Sequence, residues 1–151
     1  MLKAKIKIII LILIGLLAIN GFAIAADSNL INKKNTTSQP YSESIIDLTN
    51  TYRKSLGLDE LTINPRLSQA ATNKATDMLK RSYFSHTSPD GQKFSKWIKD
   101  INYNYFYVGE NLAIDFDNPE EAFEAWLKSD KHRQNIERTE FQEIGVASLK
   151  G

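Results

Sequence analysis

The chain holds two histidines, His86 and His132, and no cysteine. That pair bounds the chemistry. Without thiols there is no disulfide, thiolate metal site or cysteine nucleophile. The histidines stand about 46 positions apart, so no H-E-x-x-H helix can present them together. No G-x-S-x-G elbow exists, although Ser85, Ser88 or Ser129 could each be drawn into a Ser–His–acid set. His86 lies in the turn-rich run Ser85 to Gly91, which reads as a surface loop. His132 opens the polar helical turn Lys131 to Asn135. Glu110 sits in the otherwise apolar stretch Val108 to Ile114, where a carboxylate must pair, accept hydrogen bonds or shift its pKa. On spacing alone, two inert histidines and a shared site both remain open.

The elements that must position these residues are legible in part. Ile45, Ile46, Leu48, Thr49, Tyr52 and Leu56 mark one helical face, with Gly57 as a stop. Asn64-Pro65 is a cap followed by an N1 proline. Leu67, Ala70, Ala71, Lys74, Ala75, Met78 and Leu79 then repeat at helical spacing. Pro89-Asp90-Gly91 is a tight turn that shapes the His86 loop. Phe94, Trp97, Ile98 and Ile101 predict a third helix. Tyr103 to Ile114 predicts one short strand or extended segment around Gly109, its aromatic residues equally suited to core packing or to a binding platform. Asn118-Pro119-Glu120-Glu121 starts a fourth helix, with Trp126 in the core or in a cleft wall. Asp130 could cap a further turn through His132 and Ile136, and Ile144 to Leu149 reads as a strand. Such a mixture implies an α+β or αβα-layered domain.

The N-terminal segment is different. Lys3, Lys5 and Lys7 precede the uncharged run Ile8 to Ile19, and Ala23-Ile24-Ala25 follows. Basic flank, apolar stretch and small-x-small site describe a secretory signal peptide over residues 1–25. A retained anchor is the alternative, although Asn20 interrupts the run short of a spanning helix. Residues 26–40 are polar and read as a linker, leaving residues 41–151 as the domain. Losing the signal turns the formal net charge from +1 to about −2. A nucleic-acid partner is therefore not expected. Any membrane contact would run through the N-terminal segment if it stays uncleaved.

Three stretches in order carry a resemblance: Phe84-Ser85-His86-Thr87-Ser88-Pro89-Asp90-Gly91, Gly109-Glu110-Asn111-Leu112-Ala113, and Trp126 to Ile136. With Asn64-Pro65-Arg66-Leu67 and Ile144-Gly145-Val146-Ala147, they resemble the bacterial, cysteine-free branch of the CAP (SCP-like) superfamily. The resemblance covers Tyr41 to Gly151. It implies an αβα sandwich with a central antiparallel sheet and a cleft in which His86, Glu110 and His132 meet. In many eukaryotic relatives a second acid stands where this chain has Ser129, so the full tetrad is absent.

Two imidazoles and a carboxylate could hold zinc or another divalent cation with a position open for water. Ser88, Asn111 and Ser129 are candidates to orient them. The implied role is a secreted or envelope-associated, noncatalytic binding module for a lipid, cell-wall component or protein. The alternative is a metal-dependent hydrolase, proteases included, with Glu110 as base or ligand. A structural envelope protein with a vestigial cleft is a third reading. Relatives also continue past the Ile144-Gly145-Val146-Ala147 strand into a final strand. The expectation is therefore a sheet lacking its last C-terminal strand, with Ile144 to Leu149 unpartnered on one side and prone to aggregate.

Overall fold

The computed structural model describes residues 7–15 and 40–151. The expected linker up to residue 39 and most of the expected signal segment lie outside the described residues. In chain order the elements are β1 (Lys7–Gly15), α1 (Tyr41–Ser55), β2 (Thr62–Ile63), α2 (Pro65–Arg81) and α3 (Ser95–Asp100). They continue with β3 (Tyr107–Ile114), α4 (Pro119–Lys128), α5 (Asp130–Glu137) and β4 (Glu143–Lys150). The sheet order is β2-β4-β1-β3. The β1 strand runs antiparallel to both of its neighbours, and the two-residue β2 runs parallel to β4.

Helices cover both faces, as an αβα sandwich requires. On one face Leu67, Ala70, Ala71, Ala75 and Met78 of α2 and Trp97 and Ile98 of α3 pack on Leu112 and Ala147. On the other, Ile45 and Ile46 of α1, Phe123 and Trp126 of α4, and Ile136 of α5 enclose Ala113, Ile144 and Val146. The small residues of α2 let its backbone approach β4 closely. Local signals start the helices where the sequence places them. Asn64 Oδ1 accepts from the amides of Arg66 and Leu67 ahead of α2, and Asn118 Oδ1 accepts from the Glu121 amide ahead of α4. The expected extra turn after α4 is α5, which begins at Asp130 with Ser129 as its N-cap.

The expected gap beside Ile144 to Leu149 is corrected: β1 lies there, pairing Ile8 with Leu149 and Ile10 with Ala147. The same strand pairs Ile10 with Leu112 and Ile12 with Glu110 on its other side. Ile8, Ile10 and Ile12 enter the core under α2, and Ile9 enters the core under α1. A strand buried on both faces needs a continuous apolar run, which is also what the apolar part of an export signal looks like. Among the described residues no helix is long and apolar enough to cross a membrane.

Candidate functional site

The three motifs converge on one open cleft of about 570 Å³, lined by His86, Glu110, Ser129, His132 and Asn135 among others. The loop between α2 and α3 supplies His86. It is held as a small closed turn: the Phe94 amide donates to the His86 carbonyl at 3.0 Å and the Ser88 amide to the Gln92 carbonyl at 2.9 Å. Ser88 spends its hydroxyl inside this turn, donating to Asp90 at 2.5 Å and accepting from the Gln92 amide at 3.1 Å. It therefore shapes the loop carrying His86 and makes no hydrogen bond to either imidazole.

The β3 strand supplies Glu110, whose side chain is fully buried, whereas that of His86 is 54% exposed. His86 Nδ1 lies 2.6 Å from Glu110 Oε2. The other carboxylate oxygen, Oε1, is buried and has no hydrogen-bond partner among the described residues. Burial pushes the Glu110 pKa up, while the hydrogen bond and charge of His86 and the charge of Lys74 pull it back. Lys74 is fully buried, its Nζ 3.0 Å from the Tyr83 hydroxyl and 4.4 Å from the centre of the Trp97 ring. The sequence pattern places Lys74 on the core face of its helix, where burial lowers its pKa against the opposing charges of Glu110 and Asp77.

The α5 helix supplies His132, and a pair of asparagines docks that helix onto β3. Asn111, fully buried, donates through Nδ2 to the His132 carbonyl at 3.0 Å and accepts at Oδ1 from Asn135 Nδ2 at 2.9 Å. Asn135 also reaches the Glu110 carbonyl at 3.3 Å. The sequence reading does not single out Asn135. Its only signal there is its place in the motif around His132. Gly109 makes room for it, because a Cβ there would stand 3.0 Å from Asn135 Oδ1. Ser129 lines the cleft as the N-cap residue of α5, but its side chain makes no capping bond.

His86, Glu110 and His132 thus share one cleft without closing into a ligand cage. Among the described residues no group of three or more His, Cys, Asp or Glu side chains stands close enough to hold a metal ion. Glu110 gives one oxygen to His86 instead.

Burial and then the charge of His86 lower the His132 pKa below its ordinary value of 6.5. A lowered folded pKa favours the neutral imidazole. Its contribution to stability is present above the unfolded value and lost as pH falls through the folded one. Glu110, raised, works oppositely: its contribution is lost as pH rises through its folded pKa. His132 is therefore expected to titrate below free histidine by NMR. His132→Asn should flatten the acid-side loss seen in thermal melts run from neutral to acidic pH. An unchanged acid limb would contradict this assignment.

Helical layers on both faces of one sheet, with a His–Glu pair and a second histidine in an open cleft, define an SCP-type domain. The chain belongs to the cysteine-rich secretory protein (CAP) family, whose model matches residues 46–151. It is 36% identical over 139 residues to the uncharacterized protein YkwD of Bacillus subtilis, covering 83% of this chain and 54% of that one. It is 30% identical over 114 residues to the uncharacterized membrane protein YlbC of the same organism, covering 76% of this chain and 32% of that one. The chain therefore spans about half or less of the curated relatives it matches. A crystal structure of an extracellular SCP-domain protein from Bacillus anthracis superposes with a TM-score of 0.67 at 26% identity, over 73% of this chain and 39% of that one. An outer surface protein of Borrelia burgdorferi shares the fold, with a TM-score of 0.61 at 20% identity over 72% of this chain and 90% of that one.

Proposed function

We propose that this domain is a noncatalytic binding module, secreted or held at the cell envelope, that receives its ligand in the His86–Glu110–His132 cleft. The observation that carries this reading is Glu110 Oε1, a buried acceptor without a partner among the described residues, beside an open cleft. Buried polar atoms are nearly always paired, so an unpaired carboxylate oxygen next to a cleft suits a ligand N–H, O–H or cation. His86 and His132 would add ring nitrogens on either side. Location outside the cell is supported by the extracellular and outer-surface proteins that share the fold. Binding is favoured over hydrolysis because a catalytic zinc ordinarily rests on three protein ligands, and the three candidates here do not converge in that way.

Calorimetry on the full chain tests the reading with three probes: solubilised cell-wall fragments, phospholipid vesicles and zinc chloride. Binding of at least one probe is expected, with an affinity loss of roughly tenfold or more in Glu110→Gln, whose fold is checked by circular dichroism. Binding that ignores Glu110→Gln would remove the cleft from the account. Turnover of a peptide or ester panel with added zinc, abolished by the same substitution, would replace the binding module with a hydrolase.

A further inference from the structure

The cleft does not end at the two histidines. Ser129 and His132 also line a second hollow of about 260 Å³, walled by Phe84, Leu112, Ile114, Phe116 and Trp126. The lining changes character across that junction. On one side stand His86, Glu110, Gln134 and Asn135; on the other, aliphatic and aromatic carbon. Trp126 presents only its apolar ring there, because its Nε1 donates to the Leu112 carbonyl at 2.9 Å. Phe84 is 40% exposed, so its ring is left in water unless something covers it. Pockets that take a whole ligand run to roughly 300–1,000 Å³. A hollow of this size therefore receives one group of a ligand whose remainder lies in the cleft.

Two requirements fall on that ligand. It needs a hydrogen-bond donor for Glu110 Oε1, which is buried without a partner among the described residues. It also needs a compact apolar group close to that donor. A peptide meets both, since each residue carries an N–H and a side chain on adjacent atoms. A sugar offers donors but no group to fill an apolar hollow, and an acyl chain fills it but brings no donor beside it. The peptide is not held as a further strand. β3 ends the sheet, yet its Glu110 and Leu112 carbonyls already accept from Asn135 Nδ2 and Trp126 Nε1. With those acceptors taken, burial of a side chain must supply the selectivity that strand addition would share with the main chain.

We propose that this hollow is a subsite for one large apolar side chain of a peptide whose backbone crosses the His86–Glu110–His132 cleft. The inference rests on the cleft being a binding site and states what that site selects. Ser129 stands uncharged at the junction, so an apolar group passes it without desolvating an ion.

Nitrogen-15 NMR titration of the full chain tests this with two acetylated, amidated tripeptides, alanine at both ends and phenylalanine or serine between. The phenylalanine peptide is expected to bind at least about tenfold tighter, moving the amides of Phe84, Ser129 and His132. Phe84→Ser should remove that preference and leave the thermal melt nearly unchanged. Ser129→Asp should reduce it too. Aspartate is as good an N-cap residue as serine, so a lost preference with an unchanged melt reports the charge at the junction, not damage to α5. Glu110→Gln should weaken both peptides alike and keep the preference. Affinity for both peptides that ignores Glu110→Gln would remove the cleft reading and the subsite with it. Equal affinity of the two peptides, or a preference that survives Phe84→Ser, would overturn the subsite alone while the dependence on Glu110 stands. Failure of both peptides to move these amides would also overturn it, and octanoate moving them instead would assign the hollow to an acyl chain.

Discussion

Replacing Gly145 with alanine is expected to cost at least about 3 kcal/mol, the upper end for forcing a group into a filled core. A Cβ at Gly145 would stand 2.3 Å from both the Leu67 carbonyl carbon and the Ser68 nitrogen, which are backbone atoms of the first turn of α2. No side-chain rotation relieves that overlap, so α2 or β4 must move. Neither is free to do so. The Asn64 amide donates to the Ile144 carbonyl at 2.9 Å, pinning the start of α2 to the strand one residue before the glycine. Leu67 is fully buried beneath. For a domain of this size the loss corresponds to a melting temperature roughly 10–20 °C lower. Gly57 supplies the contrast. Its φ of 72° disfavours a side chain, but a Cβ there would meet nothing within 4 Å, so Gly57→Ala should cost only about 1 kcal/mol. Urea denaturation of both variants checks the order, and equal losses would show that α2 does not approach β4 as closely as described.

The Gly145 contact marks where sequence reading stops. The strand itself is legible, because Ile144 to Leu149 is apolar between polar flanks. The need for glycine comes from a helix some 80 positions earlier, and no local pattern carries that. Helices α2 and α4 are legible because their starts are local events, an asparagine cap followed by proline. The β1 strand is not legible as a strand, since a doubly buried strand and an export segment have the same composition. Two-residue β2 is too short to show any period. At the site, residue types alone leave two inert histidines as an open reading. The ordered motifs of the family place His86, Glu110 and His132 together, and the structure brings all three to one cleft. The Asn111–Asn135 pair that docks α5 depends on separations of about two dozen residues, so neither asparagine announces its partner.

Arg53 is the other residue whose loss should be severe, and it shows how a buried charge can serve the site from a distance. It is 1% exposed, yet its guanidinium forms no ion pair with a carboxylate among the described residues. It donates instead to four backbone carbonyls: Asp59 at 2.8 Å, Ile136 at 2.8 Å, Arg138 at 2.9 Å and Phe141 at 3.4 Å. Three of these carbonyls belong to the end of α5 and the turn after it, where helix termination leaves acceptors without intrahelical donors. Burial lowers the Arg53 pKa, opposed by the charge of Asp59, but an arginine stays protonated. Arg53→Met keeps most of the apolar stem and recovers the cost of desolvating a cation. Against that gain, it strands the Ile136 and Phe141 carbonyls in the interior, at about 1–3 kcal/mol each. The orphaned acceptors outweigh the recovered desolvation, and a net loss of about 3 kcal/mol is expected in urea denaturation. Arg53→Lys should fall between, because one ammonium cannot span four acceptors. The loss should also travel: α5 carries His132 and Asn135, and freeing its C-terminal end loosens the hold of Asn135 on Asn111. The His132 ring resonances should therefore broaden or shift in Arg53→Lys under conditions where the fold persists. Unchanged His132 signals, with only global stability lowered, would show that the Asn111–Asn135 pair holds the cleft without the arginine clamp.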